Sequence, residues 1–527
     1  MLGTDDDEAG TAMPVECELK LVADQDELAR LLGSSAVAER ASRPPRLERL
    51  ESVYFDTEDR RLARRNLALR VRHVDGRFIQ TLKRGDGPVR GEWETTLDSD
   101  QPLPGPLFMM AGEDDLVTLD VRSLRPVLAS HIDRRLQEIR LNGEDREHRV
   151  ELALDLGELE AGGQRETVVE LELELLEGEP AALYDLALEL GRTAPIRLET
   201  LSKAARGEML RTGAAPTWQK ARRVDLKGCR TVDDAMAVVF DACYGHWLAN
   251  QAAAIDGRDS EGVHQLRVAI RRLRSVFALF KDALPAERLA AHKQEAKAVL
   301  GCLGHARDLD VIAEDLVGPI RRRYPDDRAI ETLAVRLDQA RRTAYQDQVR
   351  PGLFAISYTL FTLEFGGWIA RHGWRPSDDP ELLAQQARPI DEFAHAVLEQ
   401  RFTTVRKRGR RFQRLDPAGR HELRIAIKKL RYALDVLRSL FPAKPVKTML
   451  KTLSELQDHL GAANDLAVAK GRLEVIGRST RGVEARKLAG ATGFVLGWHA
   501  AGEREAEREL RALWRTFKNE RPAWQSD

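Results

Sequence analysis

Cysteine is scarce in this 527-residue chain: Cys17, Cys229, Cys243 and Cys302, with no Cys-x-x-Cys pair and no mixed His/Cys cluster. Such spacing argues against a disulfide framework or a structural zinc site, and it fits a reducing compartment. Aromatic residues make up only 6%. No apolar run approaches the ~20 residues a membrane span needs. The first ten residues, with Asp5, Asp6, Asp7 and Glu8, lack the basic and apolar regions of a secretory leader. A Gly-x-x-x-x-Gly-Lys-(Ser/Thr) loop is also missing, which removes kinases and ATPases of the P-loop kind. A soluble, cytosolic protein without a membrane partner is expected.

The length calls for two or three domains, and the charge is split between them. Residues 1–215 carry 29 Lys and Arg against 44 Asp and Glu, a net of −15. Residues 216–527 carry 54 against 40, a net of +14, so the overall −1 conceals an acidic half and a basic half. A basic half looks for an anionic partner.

The acidic half alternates with period two. Val15, Cys17, Leu19 and Leu21 share one strand face, with Glu16, Glu18 and Lys20 on the other. The same pattern recurs at 67–73, 78–83, 91–97, 149–155 and 168–175, with helical punctuation near 26–32 and 179–190. An antiparallel β domain with packed helices follows. Its polar faces are unusual: they present Arg70 and Arg72, Thr81 and Lys83, Arg90 with Glu92 and Glu94, Glu151 and Asp155, then Glu170, Glu172 and Glu174. Alternation alone favours a sheet with one helix-covered and one solvated face. If the strands instead close into a barrel, the lumen holds acids and bases that must pair or bind ions.

Residues 213–227 read as a linker, and the remainder is helical, divided by Pro and Gly near 284–285, 351–352, 371–380, 416–419 and 442–445. This half contains a repeat. His264-Gln-Leu-Arg-Val-Ala-Ile-Arg-Arg-Leu-Arg274 returns as His421-Glu-Leu-Arg-Ile-Ala-Ile-Lys-Lys-Leu-Arg431, an offset of 157. Leu303-Gly304-His-Ala-Arg-Asp308-Leu309 returns at the same offset as Leu460-Gly461-Ala-Ala-Asn-Asp465-Leu466. The repeat units are 264–310 and 421–467.

At about 100° per residue, His264, Arg267, Arg271 and Arg274 form a narrow stripe opposite Leu266, Ile270, Leu273 and Phe277. His421, Arg424, Lys428 and Arg431 repeat it, and Arg406-Lys-Arg-Gly-Arg-Arg411 lies just upstream. Like charges at i+3 and i+4 without compensating Glu point to a polyanion rather than a merely solvated face. The stripe holds no aromatic residue for base stacking, which disfavours nucleic acid and suits inorganic polyphosphate. The histidines either add charge near neutral pH or hydrogen-bond a neighbouring helix.

The paired His-x-x-Arg helices and the Leu-Gly-x-x-x-Asp-Leu segments resemble the CHAD domain. Glu16-x-Glu18-x-Lys20, Leu69-Arg-Val-Arg72, Thr81-Leu-Lys83, Arg90-Gly-Glu-Trp-Glu94, Glu170-x-Glu172-x-Glu174 and Ser202-Lys-Ala-Ala-Arg-Gly207 resemble the CYTH superfamily of triphosphatases and class IV adenylate cyclases. The resemblance implies a CYTH–CHAD fusion of α+β multidomain class. Residues 14–212 would form an eight-stranded antiparallel β tunnel with flanking helices, and 228–515 an all-α CHAD-like domain.

The resemblance also implies roles. Lys20, Arg70, Arg72, Lys83, Arg90 and Arg134 would bind substrate phosphates. Glu16, Glu18, Asp155, Glu170 and Glu172 would hold Mg²⁺ or Mn²⁺, with Glu170, Glu172 and Lys203 catalytic and Lys203 also touching phosphate. Glu92 and Glu94 would line the tunnel. The expected function is metal-dependent hydrolysis of inorganic triphosphate coupled to polyphosphate binding, with a place at polyphosphate granules. The alternatives are a non-catalytic polyphosphate receptor and a triphosphatase acting on nucleotides or thiamine triphosphate. Some triphosphatases of the family carry a Lys-x-Arg pair whose lysine helps catalysis; here Ile132 stands where that lysine would be, before Arg134.

Overall fold

The computed structural model describes residues 15–85, 89–143, 146–375, 378–478 and 481–525, with the side chains of 15, 89, 462–465, 503 and 504 also outside the described set. The acidic run Asp5–Glu8, and Ala462–Asp465 of the second Leu-Gly segment, therefore lie outside the described side chains. The chain forms two compact units. One comprises the residues up to Pro216 together with Thr359–Arg371, and the other Thr217–Tyr358 with the residues from His372 onward.

In the first unit, eight strands close into an antiparallel barrel. They are β1 (Val15–Val22), β2 (Arg46–Thr57), β3 (Leu67–Val74), β4 (Arg77–Arg84), β5 (Val89–Leu97), β6 (Leu124–Asn142), β7 (Glu147–Ala161) and β8 (Gln164–Glu177). Spatial order runs β5-β4-β3-β2-β6-β7-β8-β1, and β1 closes the ring on β5 through Glu16 opposite Arg90. A short β9 (Arg197–Glu199) pairs with β1 on the edge opposite β8.

The hydrophobic face of this barrel points outward. Leu69, Leu82 and Trp93 pack under Leu107 and Phe108 of helix α1 (Gly105–Met110). Leu19, Leu21, Leu171 and Leu173 are buried on the outer face that helix α2 (Ala181–Gly191) covers. Opposed residues in an antiparallel pair point to the same side. The register Tyr54↔Arg70, Arg70↔Thr81, Arg134↔Asp155, Asp155↔Glu170 and Lys20↔Glu172 therefore lines the charged rows along the lumen. The helix-covered face expected from alternation is present; the expected solvated face is the interior instead.

One end of the lumen is apolar. Leu50, Leu128, Ile132, Leu159 and Val168 meet Ala204 and Leu210 of helix α3 (Lys203–Thr212). Gly207 allows the fit, since a Cβ there would come within 2.5 Å of the Leu128 side chain. Ser202 caps this helix by accepting a hydrogen bond from the Ala205 N–H. The cap starts the helix with Lys203 in its first turn, where it reaches the lumen.

The second unit is helical. Helix α4 (Val232–Asp256), closed by a Thr231–Asp234 capping box, packs on α5 (Ser260–Leu279), the first stripe helix. It continues through α6 (Ala286–Val311), α7 (Arg328–Ala344), α8 (Ile390–Arg408), the second stripe helix α9 (Pro417–Leu437), α10 (Ala443–Arg478), α11 (Gly482–Ala500) and α12 (Glu503–Asn519). No single helix among the described residues is long and apolar enough to cross a membrane.

Candidate functional site

The lumen separates charge by wall. Asp155 and Glu170 are 0% exposed and Glu172 is nearly as buried; their ligand oxygens lie within 4.8 Å of one another. Lys203 Nζ sits among them, 2.8 Å from Asp155 and 3.0 Å from Glu172, and it also bonds to Glu170. Arg134 donates to Asp155 and to Glu172, both at 2.6 Å, and Lys20 stands 3.1 Å from Glu172. Arg206, three residues after Lys203, reaches Glu170 at 3.1 Å and Glu166 at 2.8 Å. Glu16 and Glu18 on β1 are bridged by Arg90 at 2.6 Å each, and Lys83 lies 3.1 Å from Glu16 and 2.7 Å from Glu92.

Across the lumen, Arg70 and Arg72 on β3 make few hydrogen bonds, and Arg70 stands 3.9 Å from both Glu92 and Glu94. Arg70 donates to the Thr81 hydroxyl at 3.1 Å, and Thr81 donates to Glu94 at 2.8 Å. The Nε atoms of both arginines are buried without a hydrogen-bond partner among the described residues. A buried cationic donor left unpaired is costly. This wall therefore suits an anion.

Titration behaviour follows the same division. Burial opposes ionisation of Glu172, yet Lys20, Lys203 and Arg134 hold its carboxyl well below the ordinary range. Burial would likewise lower Lys203, but Asp155, Glu170 and Glu172 keep it well above normal. Glu170 is raised, first by burial and then by Glu172 beside it. Arg72 is pushed down to about 10 by burial and by the like charges of Arg70 and Arg134. Lys83 is lowered by burial, Arg90 and Arg70. Glu174, next to Glu18 in the register, is pushed up to about 7 by burial, Glu16 and Glu18.

All the expected tunnel residues thus face one lumen. The acidic triad is an all-oxygen donor set of the kind hard divalent cations prefer, although Lys203 now neutralises it. Ile132 lies one lumen-facing position from Arg134, inside the apolar cluster, so the strand register is not shifted and no lysine replaces it. Two neighbours of the site escaped the sequence reading. Tyr54, on the unread strand β2, has a phenol that Arg70, Lys203, Arg72 and Lys83 lower against the effect of burial. Arg206 was visible as part of the Ser202–Gly207 segment, but nothing in its spacing disclosed its bond to Glu170.

In the helical unit the two stripes converge. Lys428 feels Arg271 and Arg274 of α5 as well as Arg424 and Arg431 of its own helix; burial and these charges push it down to about 8. His264, Arg267, Arg271, Arg424, Lys428 and Arg431 are half-buried, while Arg274 and His421 are exposed. Arg267 is lowered by burial, then by Arg271. Arg307 of α6, absent from the sequence reading of the stripe, contributes to lowering His264 and has a buried Nη1 without a hydrogen-bond partner among the described residues. The His264 shift is downward, led by burial, so the imidazole is neutral near neutral pH. The acids felt within the cluster are Glu261, by His264, and Asp308, by Arg267.

Residues 15–207 match the CYTH domain and residues 238–474 the CHAD domain. Among curated proteins, an inorganic triphosphatase from Haemophilus influenzae is 28% identical over 167 residues, covering 31% of this chain and 46% of that protein. The chain thus matches less than half the length of that relative. Among solved structures, the CHAD domain from Ricinus communis is 26% identical with a TM-score of 0.49, covering 58% of this chain and 98% of the other. A Hippeastrum protein described as a putative adenylyl cyclase with a dominant triphosphatase activity is 19% identical with a TM-score of 0.25, over 38% of this chain and 95% of its own. With a charged eight-stranded tunnel followed by a repeated basic helical region, each matched in the same order, the chain is a CYTH–CHAD fusion.

Proposed function

We propose that the barrel hydrolyses inorganic triphosphate with a divalent metal, Mg²⁺ or Mn²⁺, and that the converged stripes hold inorganic polyphosphate. The observation that carries the first part is the opposition of two walls: Arg70 and Arg72, whose Nε donors have no partner among the described residues, facing a buried Asp155–Glu170–Glu172 triad. A triphosphate laid between them satisfies the cations, with Lys20, Lys83, Arg90 and Arg134 completing the contacts.

Asp155, Glu170 and Glu172, with Glu16 and Glu18, would hold the metal, which supplies neutralisation of charge on the phosphate oxygens. The chain's own residues do the rest. Arg70 and Arg72 orient the terminal phosphoryl group and stabilise the charge that spreads over its oxygens in the transition state. A water oxygen bonds to the terminal phosphorus, the bridging P–O bond breaks, and the products are orthophosphate and pyrophosphate. Glu170 would take the water's proton. Lys203 fixes the three carboxylates.

Among the described residues the lumen offers no aromatic platform beyond Tyr54, which favours an inorganic substrate over a nucleotide. A second reading, a tunnel that binds without turnover, is favoured by Ile132 in the lysine's place. Phosphate release from tripolyphosphate, ATP and thiamine triphosphate, with and without Mg²⁺ or Mn²⁺, decides between them. Preferential, metal-dependent release from tripolyphosphate supports hydrolysis; tight binding without release under either metal supports the receptor.

A further inference from the structure

The basic run at 406–411 stands apart from the stripes it neighbours. Arg406, Lys407 and Arg408 end helix α8, Arg410 and Arg411 follow in the turn, and Arg414 closes the next short turn. All six are exposed, whereas Arg424, Lys428 and Arg431 of the second stripe are half-buried. Arg515 of α12 is exposed as well. Cations in its last turn suit the dipole of α8, which accounts for the first three. It does not account for Arg410, Arg411, Arg414 or Arg515. Residues 399–424 hold nine Lys and Arg against three acids.

The described acids around the run are already engaged. Glu422 bonds to Arg408, Asp416 caps α9 through the Gly419 N–H at 2.8 Å, and Glu399 accepts from Trp524 and Gln525. On α12, Glu505 pairs with Arg508, Glu507 with Arg420 and Arg511, and Glu509 faces His459. Glu520 is half-buried, and burial raises its carboxyl. Arg406, Lys407, Arg410, Arg411, Arg414 and Arg515 are left without an ion pair among the described residues. They also sit on a rigid base. A Cβ on Gly409 would come within 2.0 Å of the Trp514 ring, which stacks on Phe412 at 5.1 Å. Arg406 lies 5.7 Å over the Phe402 ring. Like charges crowded on a fixed base repel one another, a cost that a bound anion offsets.

We infer that this patch is a second binding surface for inorganic polyphosphate, taking the stretch of a long chain that runs on past the second stripe at His421. The inference rests on the stripes themselves holding polyphosphate. Continuity carries it: Arg408 bonds to Glu422, the neighbour of His421, so the end of α8 lies against the start of the stripe. The chemistry of the surface selects the ligand. Phe412 and Trp514 are 4% and 6% exposed, so neither ring is offered for a base to stack on. Ile425, at 41%, is the one large apolar side chain exposed between residues 384 and 467 among the described residues, which is too little to enter a lipid surface. A surface of charge alone fits a ligand of charge alone.

Titration of the full chain with two polyphosphates tests this, one short enough for the ~15 Å of a single stripe and one long. Arg406→Ala/Lys407→Ala/Arg410→Ala/Arg411→Ala should weaken binding of the long chain at least about tenfold and lower its salt slope by about 3. Binding of the short chain and the melting temperature should not change. Arg424→Ala/Lys428→Ala should weaken both lengths, which reads the stripe separately. A patch variant that binds the long chain as the wild type does, or loses both lengths equally, overturns the inference and leaves the stripes' role standing. A wild type that binds neither length overturns both. Stronger binding of single-stranded RNA or phosphatidylserine vesicles than of long polyphosphate, lost in the patch variant, assigns the surface to nucleic acid or lipid and overturns the inference too.

Discussion

Arg267 and Gly304 stand in the same relation as Arg424 and Gly461, one repeat later. Arg267 donates to the Leu300 carbonyl at 3.1 Å and lies 3.4 Å from where a Cβ on Gly304 would sit. The corresponding distance from Arg424 to Gly461 is 3.0 Å. In both copies the glycine of the Leu-Gly segment faces a stripe guanidinium, tightly in the second copy and at ordinary contact distance in the first. Gly304→Val with Gly461→Val should push both arginines aside and weaken polyphosphate binding by about tenfold or more. Titration of the full chain with long-chain polyphosphate checks this. Affinity unchanged by both valines would separate the glycines from binding.

Lys428 gives that binding a pH signature. Free, its ammonium titrates at about 8 because burial and Arg271, Arg424, Arg274 and Arg431 oppose its charge. A bound polyanion reverses the local field and raises the value, so binding near pH 8 to 9 should take up protons. Calorimetric titrations in two buffers of different ionisation enthalpy should show the uptake, and Lys428→Met should remove it.

In the tunnel, stability and function oppose each other at Arg72. Arg72 is half-buried beside Arg70, and its buried Nε has no hydrogen-bond partner among the described residues. Arg72→Met should raise the melting temperature of the ligand-free protein while weakening tripolyphosphate binding by about 1.5–3 kcal/mol, the scale of a charge-assisted hydrogen bond. Lys203→Met should do the reverse to the fold, costing about 3–5 kcal/mol, because three buried carboxylates lose their shared counter-charge. Thermal melts of both variants, paired with binding titrations, check the contrast.

The sign of the pH dependence is fixed by the same groups. Glu172 is held below its ordinary value of 4.5, so its contribution is complete above that pH and lost as pH falls through the folded value. Lys203 is held above 10.5, so its contribution is complete below that pH and lost as pH rises through the folded value. Glu174 works against both. Its folded value of about 7 means that the folded state resists its ionisation, at a cost that grows from pH 4.5 to 7 and is complete above 7. Glu174→Gln should therefore stabilise the metal-free protein at pH 8, by at most about 3 kcal/mol, and leave it unchanged at pH 4. Urea unfolding at the two pH values reads this directly.

Six strands were legible because their lumen rows are charged and their outer rows apolar. The strands β2 and β6 were not. Their lumen residues include Leu50, Ser52, Tyr54, Leu128, Ser130 and Ile132, so the charged rows that marked the other strands are interrupted, with Glu48 and Arg134 beyond the apolar stretch. Leu47 is 79% exposed and Pro126 sits at the register shift opposite Phe55, which blurs the pattern further. Which side faced inward was not legible from alternation either, since covered and lumen faces alternate just as covered and solvated faces do. The stripe was legible as a helical face, but its half-burial was not: only the packing of α5 against α9 brings the two copies together.

Phosphate release from tripolyphosphate by the wild-type chain, compared with Glu16→Gln/Glu18→Gln and with Arg72→Met in the presence of Mg²⁺, tests the central claim most directly. The account predicts metal-dependent release of one orthophosphate and one pyrophosphate per tripolyphosphate, lost when the β1 carboxylates are neutralised and reduced at least about tenfold by Arg72→Met. Release that persists undiminished in both variants, or a wild type that binds tripolyphosphate with Mg²⁺ or Mn²⁺ and never cleaves it, would contradict it.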